Sequence, residues 1–243
     1  MGGLLISLFT VLAPFYFSAV TCLAMVPLLA LTGTARRPIS GSPLSYRSEE
    51  REPKVKTSRR VHAALASGTL YSFNNGIVSA LFPAFATRLG LQPYEIGALF
   101  LLSGLTQTVV FSQADKVEAK LRLRASLLAG SGIAFLSLLA IPFASSLAVY
   151  ALSFSSQGVG AGLLYAVSLS LLLKESGPRH GRATGLWEST IGSGFFAGPL
   201  IGGAVAGIVA TAPYFLGASA CAWTAALQLR LLQRGEKGEE PPD

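Results

Sequence analysis

Charge is scarce in this chain. Of its 243 residues only 13% are Asp, Glu, Lys or Arg, while 51% are hydrophobic, a balance expected of a protein whose solvent is lipid. Cysteine is scarcer still. Cys22 and Cys221 each lie inside an apolar stretch, so no disulfide framework is expected. His62 and His180 sit at the edges of apolar stretches without a Cys, His or carboxylate at ligand spacing, which argues against a metal site. No lysine falls inside an apolar stretch, which excludes a retinal Schiff base. No cofactor signature, nucleotide motif or nucleophile with its base is visible, so neither a cofactor nor an enzyme is expected.

What the chain has is apolar length. Seven stretches, 4–32, 62–87, 94–113, 123–143, 147–173, 183–207 and 209–232, reach or approach the roughly 20 residues needed to cross a bilayer. The first has no basic leader and an apolar run too long for a signal peptide, so it reads as a retained span. A net charge of +7 would suit nucleic acid, but the basic residues occupy alternate loops. Arg36, Arg37, Arg47, Arg51, Lys54, Lys56, Arg59 and Arg60 fall in one loop, and Lys116, Lys120, Arg122 and Arg124 in another. Lys174, Arg179 and Arg182 form a third group, and Arg230, Arg234 and Lys237 follow the last span. Of 19 basic residues, only Arg88 lies on the other side. The bias places the amino terminus outside and the carboxyl terminus in the cytoplasm. The expectation is an all-α polytopic protein of the plasma (cytoplasmic) membrane, with the lipid bilayer as its partner and no nucleic acid. A span occupies 1–33, a polar cytoplasmic linker 34–61, a six-helix bundle 62–233 and a solvated tail 234–243.

A faint repeat adds to this. Ala13-Pro14-Phe15-Tyr16 returns as Ala212-Pro213-Tyr214-Phe215, and in the same register Ala19 meets Ala218 and Cys22 meets Cys221. Gly2-Gly3 and Gly202-Gly203 precede the two copies at nearly the same distance. Duplicated membrane halves with a solute site between them are a common build of secondary transporters.

Particular residues carry a family resemblance. Gly177-Pro178-Arg179-His180-Gly181-Arg182-Ala183-Thr184-Gly185-Leu186-Trp187-Glu188-Ser189 resembles the loop into the eleventh helix of the major facilitator superfamily. The following Gly192, Gly194, Gly198-Pro199 and Gly202-Gly203 are similar to that family's Gly-Pro-rich helix motif. Leu81-Phe82-Pro83 with Leu89-Gly90-Leu91 and Glu95-Ile96-Gly97 resembles its seventh helix and the turn into the eighth, and Gly158-Val159-Gly160-Ala161-Gly162 resembles its tenth. The chain departs from the pattern at Ser112-Gln113-Ala114-Asp115-Lys116, where Asp115 and the basic residues are kept and the glycines are not. By this resemblance 62–232 corresponds to helices seven to twelve and 4–32 to helix six, with helices one to five missing. It implies secondary active transport of a small solute by alternating access between two halves. An N-terminal-half partner chain or a homo-oligomer would then complete the site. The competing expectation is a non-transporting membrane fragment or accessory subunit.

Several residues stand out. Glu188 is the one carboxylate well inside a span; it either carries a coupling proton or acts as a gate paired with Arg179, Arg182 or the loop containing Asp115, and its place near the interface favours the gate. Adjacent Asn74 and Asn75 cannot share a helix face. One is expected to bond a neighbouring helix and the other to face a cavity, with Tyr71 one turn earlier, and Gln107 and Gln157 as further pathway candidates. Gly194, Gly198 and Gly202 recur every four residues beside Pro199, and Gly158 and Gly162 repeat that spacing, which predicts close helix contacts and a hinge. Trp187, Tyr150 and Tyr165 read as interfacial anchors or packed core.

Overall fold

The computed structural model describes residues 58–113, 123–176 and 180–236, together with Tyr16, residues 18–21 and residues 23–24. The last three groups are helical and exposed. Six long helices follow: α1 (Arg59–Arg88), α2 (Pro93–Ser112), α3 (Leu123–Ala140), α4 (Leu147–Ser176), α5 (His180–Ala206) and α6 (Ala212–Glu236). One turn of 3-10 helix, Ile141–Phe143, extends α3, and no strand occurs among the described residues.

Local chemistry sets the helix ends. The Ser58 hydroxyl caps α1 by accepting from Val61 N at 3.2 Å, satisfying one of the free amides of the first turn. At the other end the chain reverses through Gly90, whose φ of 86° suits a residue without a Cβ. Pro93 opens α2, where its missing N–H costs nothing, and the Glu95 carboxylate accepts from Gln92 N at 2.7 Å.

Five helices are long and apolar enough to cross a membrane: Pro93–Ser112, Leu123–Phe143, Leu147–Ser176, Ala183–Ala206 and Ala212–Leu232. The expected span 62–87 is not among them, and the expected span 4–32 lies largely outside the described residues. α1 is 30 residues long, yet Ser67, Ser72, Asn74 and Asn75 lower its apolarity. The reason lies in its position. α1 packs against α4, α5 and α6, so its polar groups meet protein rather than lipid. α2 rests on α4, while α3 packs on α4 and α6.

Small residues bring these helices together. A Cβ at Gly194 would meet the Ser72 side chain, one at Gly198 the Phe73 carbonyl oxygen, and one at Gly202 would lie 2.9 Å from Leu81. From the α1 side, Gly68 receives the Trp187 ring, and a Cβ at Gly76 would come 2.9 Å from Pro199. The predicted glycine face is therefore the α1–α5 contact. Gly158 packs on Ser103 and Thr106 of α2, and Gly162 on Val110. In lipid, where apolar burial gives no net drive, such close approach supplies much of the association.

Buried side-chain hydrogen bonds tie the remaining pairs. Gln228 Nε2 donates to Ser67 Oγ at 2.9 Å and its Oε1 accepts from Ser131 at 3.2 Å, joining α6 to α1 and α3. Ser137 Oγ donates to Gln157 Oε1 at 2.7 Å, linking α3 to α4. Near the Gly90 end, Phe82 anchors a ring cluster with Tyr150, Phe154 and Phe100. Tyr150 and Trp187 are thus packed core.

Gly198→Ala forces a Cβ into the Phe73 backbone and is expected to destabilise the bundle by about 1–3 kcal/mol. Gly192→Ala, where a Cβ meets nothing within 4 Å, leaves stability unchanged or raised. Thermal unfolding of the two purified variants in detergent checks the contrast.

Candidate functional site

The two glycine-lined contacts place α2 and α5 on either side of α1 and α4, and of the five apolar helices these two are the least buried. Between them four helices contribute one group of rings and amides. Gln107 Nε2 of α2 donates to the Tyr71 hydroxyl of α1 at 3.2 Å. Tyr71 meets Tyr165 of α4 edge-on at 5.1 Å and Phe195 of α5 at 6.3 Å. Tyr165 in turn meets Phe111 at 5.2 Å and Trp187 at 5.5 Å. Gly162 makes the first contact possible, because a Cβ there would lie 3.2 Å from the Gln107 carbonyl and push α2 away from Tyr71.

The two asparagines part as their one-residue offset requires. Asn74 is 1% exposed and its Nδ2 donates to Cys221 Sγ of α6 at 3.0 Å. Its Oδ1 has no partner among the described residues. Asn75 is half-buried one turn beyond Tyr71, and its Nδ2 donates to the Tyr71 carbonyl at 3.1 Å. Asn74 thus makes an interhelical bond, while Asn75 bonds its own helix and is half-buried. Gln157 is also turned away from the face. It is 3% exposed and held by Ser137, so its amide serves the α3–α4 contact. Of the five pathway candidates the structure brings together Tyr71, Asn75 and Gln107.

Glu188 is exposed and lies seven residues before Phe195, two turns earlier on the same face and about 10 Å away along the axis. It makes no hydrogen bond or ion pair among the described residues. Asp115, and the side chain of Arg182, lie outside the described residues. At this end of the bundle the Glu175 carboxylate accepts from Ser58 Oγ at 3.0 Å and pairs with Arg60 at 3.6 Å, fastening the start of α1 to the end of α4. No group of three His, Cys, Asp or Glu side chains suited to a metal occurs among the described residues.

Sequence reasoning did not find Phe111 or Phe195, and it left Tyr165 between anchor and core. The available signal was spacing. Phe195 stands seven residues from Glu188 on a helix whose glycine face already points at α1, so both flank that contact.

The group offers amides, hydroxyls and ring faces as contacts. A search of curated proteins finds no match. The sequence model of the Major Facilitator Superfamily matches residues 64–243, a stretch that begins within α1 and takes in every later helix. The chain therefore belongs to the Major Facilitator Superfamily, a family of membrane transporters.

Proposed function

We propose that the protein takes part in secondary active transport of a small solute, by alternating access of a site whose one wall is the face of α1, α2, α4 and α5. The observation that carries this reading is the Gln107–Tyr71 hydrogen bond, half-buried among rings from four helices. A polar pair at that depth in a membrane protein is costly unless it faces protein, water or a solute. A second six-helix half, from a partner chain or another copy of this one, closes the site from the opposite side. Rocking of the two halves about it exposes the solute to each side in turn. Gly194, Gly198, Gly202 and Pro199 form the packed hinge of this wall, with Gly158 and Gly162 serving the α2–α4 contact. Glu188 stands toward its cytoplasmic end.

The proposed membrane orientation puts the linker 34–61 and the tail 234–243 in the cytoplasm, with a seventh span over 1–33 ahead of the bundle 62–233. It rests on the 18 basic residues gathered on one side. An impermeant maleimide added to intact cells is expected to label Arg88→Cys, whereas Lys54→Cys reacts only after permeabilisation. The reverse pattern overturns the orientation.

Reconstituted into proteoliposomes with an imposed pH gradient, the 243-residue chain is expected to take up at least one solute from a broad panel. Loss of one hydrogen bond of about 0.5–1.5 kcal/mol in Gln107→Ala corresponds to a rise of roughly 2- to 10-fold in KM. Asn75→Ala behaves alike, while Gln157→Ala lowers stability instead. A well-folded chain that moves no solute in any gradient assigns the protein to the accessory, non-transporting class.

A further inference from the structure

The charge and acceptor inventory of this face points to the class of solute. Glu188 is the one charged residue of the described helices that stands more than two turns from a helix end. The basic residues of α1, α4 and α5 are confined to terminal turns, and α2 has none, so the middle of the face has nothing to pair with an anion. The amides are neutral and can serve a cation through their oxygens. Asn75 spends a donor on the Tyr71 carbonyl. That bond also fixes the amide's orientation, since a flipped group would set oxygen against oxygen. One N–H and the Oδ1 of Asn75 then remain, and Gln107 likewise spends one of its two N–H donors on Tyr71 while its Oε1 makes no bond among the described residues. Above these, Tyr71, Tyr165, Phe111 and Phe195 present ring surfaces, whose quadrupoles attract positive charge most strongly where water is excluded.

We propose that the site takes a monovalent organic cation with an apolar, ring-bearing body. The cationic centre sits against the rings of Tyr71, Tyr165 and Phe195. Glu188 supplies the counter-charge from one residue beyond Trp187, whose ring packs on Tyr165. The acceptor oxygens of Asn75 and Gln107 take any N–H of a protonated amine. An organic anion meets the Glu188 carboxylate with no basic side chain in the middle of the face to offset it, and is excluded. This assignment rests on the reading of the face as the solute site.

The test uses three probes of similar shape and different charge: tetraphenylphosphonium, neutral triphenylphosphine oxide and anionic tetraphenylborate. Each is measured by equilibrium dialysis against the full chain in zwitterionic nanodiscs, with empty nanodiscs subtracted. The phosphonium is expected to bind at least tenfold more tightly than the oxide, and the borate not to bind above background. Glu188→Gln weakens the phosphonium about tenfold and leaves the oxide unchanged, while Glu188→Asp restores most of the loss. Gly192→Lys adds a positive charge one turn along, where a side chain meets no neighbour, and abolishes phosphonium binding without touching the packed core. Equal binding of phosphonium and oxide, or phosphonium affinity unmoved in both Glu188→Gln and Gly192→Lys, overturns the assignment. Gradient-driven uptake of other solutes without phosphonium binding overturns the cation and leaves the transport reading standing. Phosphonium binding without uptake of any solute does the opposite.

Discussion

Everything in this bundle depends on how closely α1 can approach α5. Lipid offers helices no hydrophobic reward for meeting, so the attraction must come from van der Waals contact and interhelical hydrogen bonds. Gly194, Gly198 and Gly202 remove the side chains that would hold the two backbones apart, while Gly68 on the opposite helix admits the Trp187 ring. Gly158 and Gly162 do the same between α4 and α2. Where these two tight contacts lie side by side, Tyr71, Gln107, Tyr165 and Phe195 are drawn into one group. This group of rings and amides is thus a by-product of backbone proximity, and a single Cβ in either contact forces its members apart.

The second organising element is polar. Gln228, Ser67 and Ser131 join three helices through two hydrogen bonds in a region without exposure to solvent. Asn74 with Cys221 and Gln157 with Ser137 extend the pattern. Each such bond in a membrane protein contributes on the order of 0.6–2 kcal/mol, modest against the whole, but each is directional. Glycine contacts tolerate sliding by a turn, whereas an amide paired with one hydroxyl does not. The polar bonds therefore specify register and the glycines specify distance. α1 takes part in the tightest glycine contact and in two of these four bonds, and its polar groups make it less apolar than the other five helices.

Much of this was legible in advance, because hydropathy and spacing are local properties. Apolar length predicts the six helices of the bundle to within a few residues, and the recurrence of glycine every four residues identifies the contact faces of α4 and α5 without reference to a partner. Even the separation of Asn74 from Asn75 follows from the roughly 100° between adjacent helical positions.

Local pattern along the chain sets the class of protein, the helices and the small-residue faces on which they meet. Only the tertiary structure decided which amide serves which purpose. Gln107 and Gln157 are equivalent in sequence, each an isolated amide in an apolar helix. One is half-buried against Tyr71 and the other is sealed against Ser137. The same holds for Tyr165 and Trp187, whose rings meet only because Gly68 leaves room for the indole. The physical reason is rotation about the helix axis. Hydropathy in lipid is nearly the same on the side facing a neighbouring helix and the side facing acyl chains, so the rotation, and with it the membership of the site, is set by contacts between residues far apart in the chain.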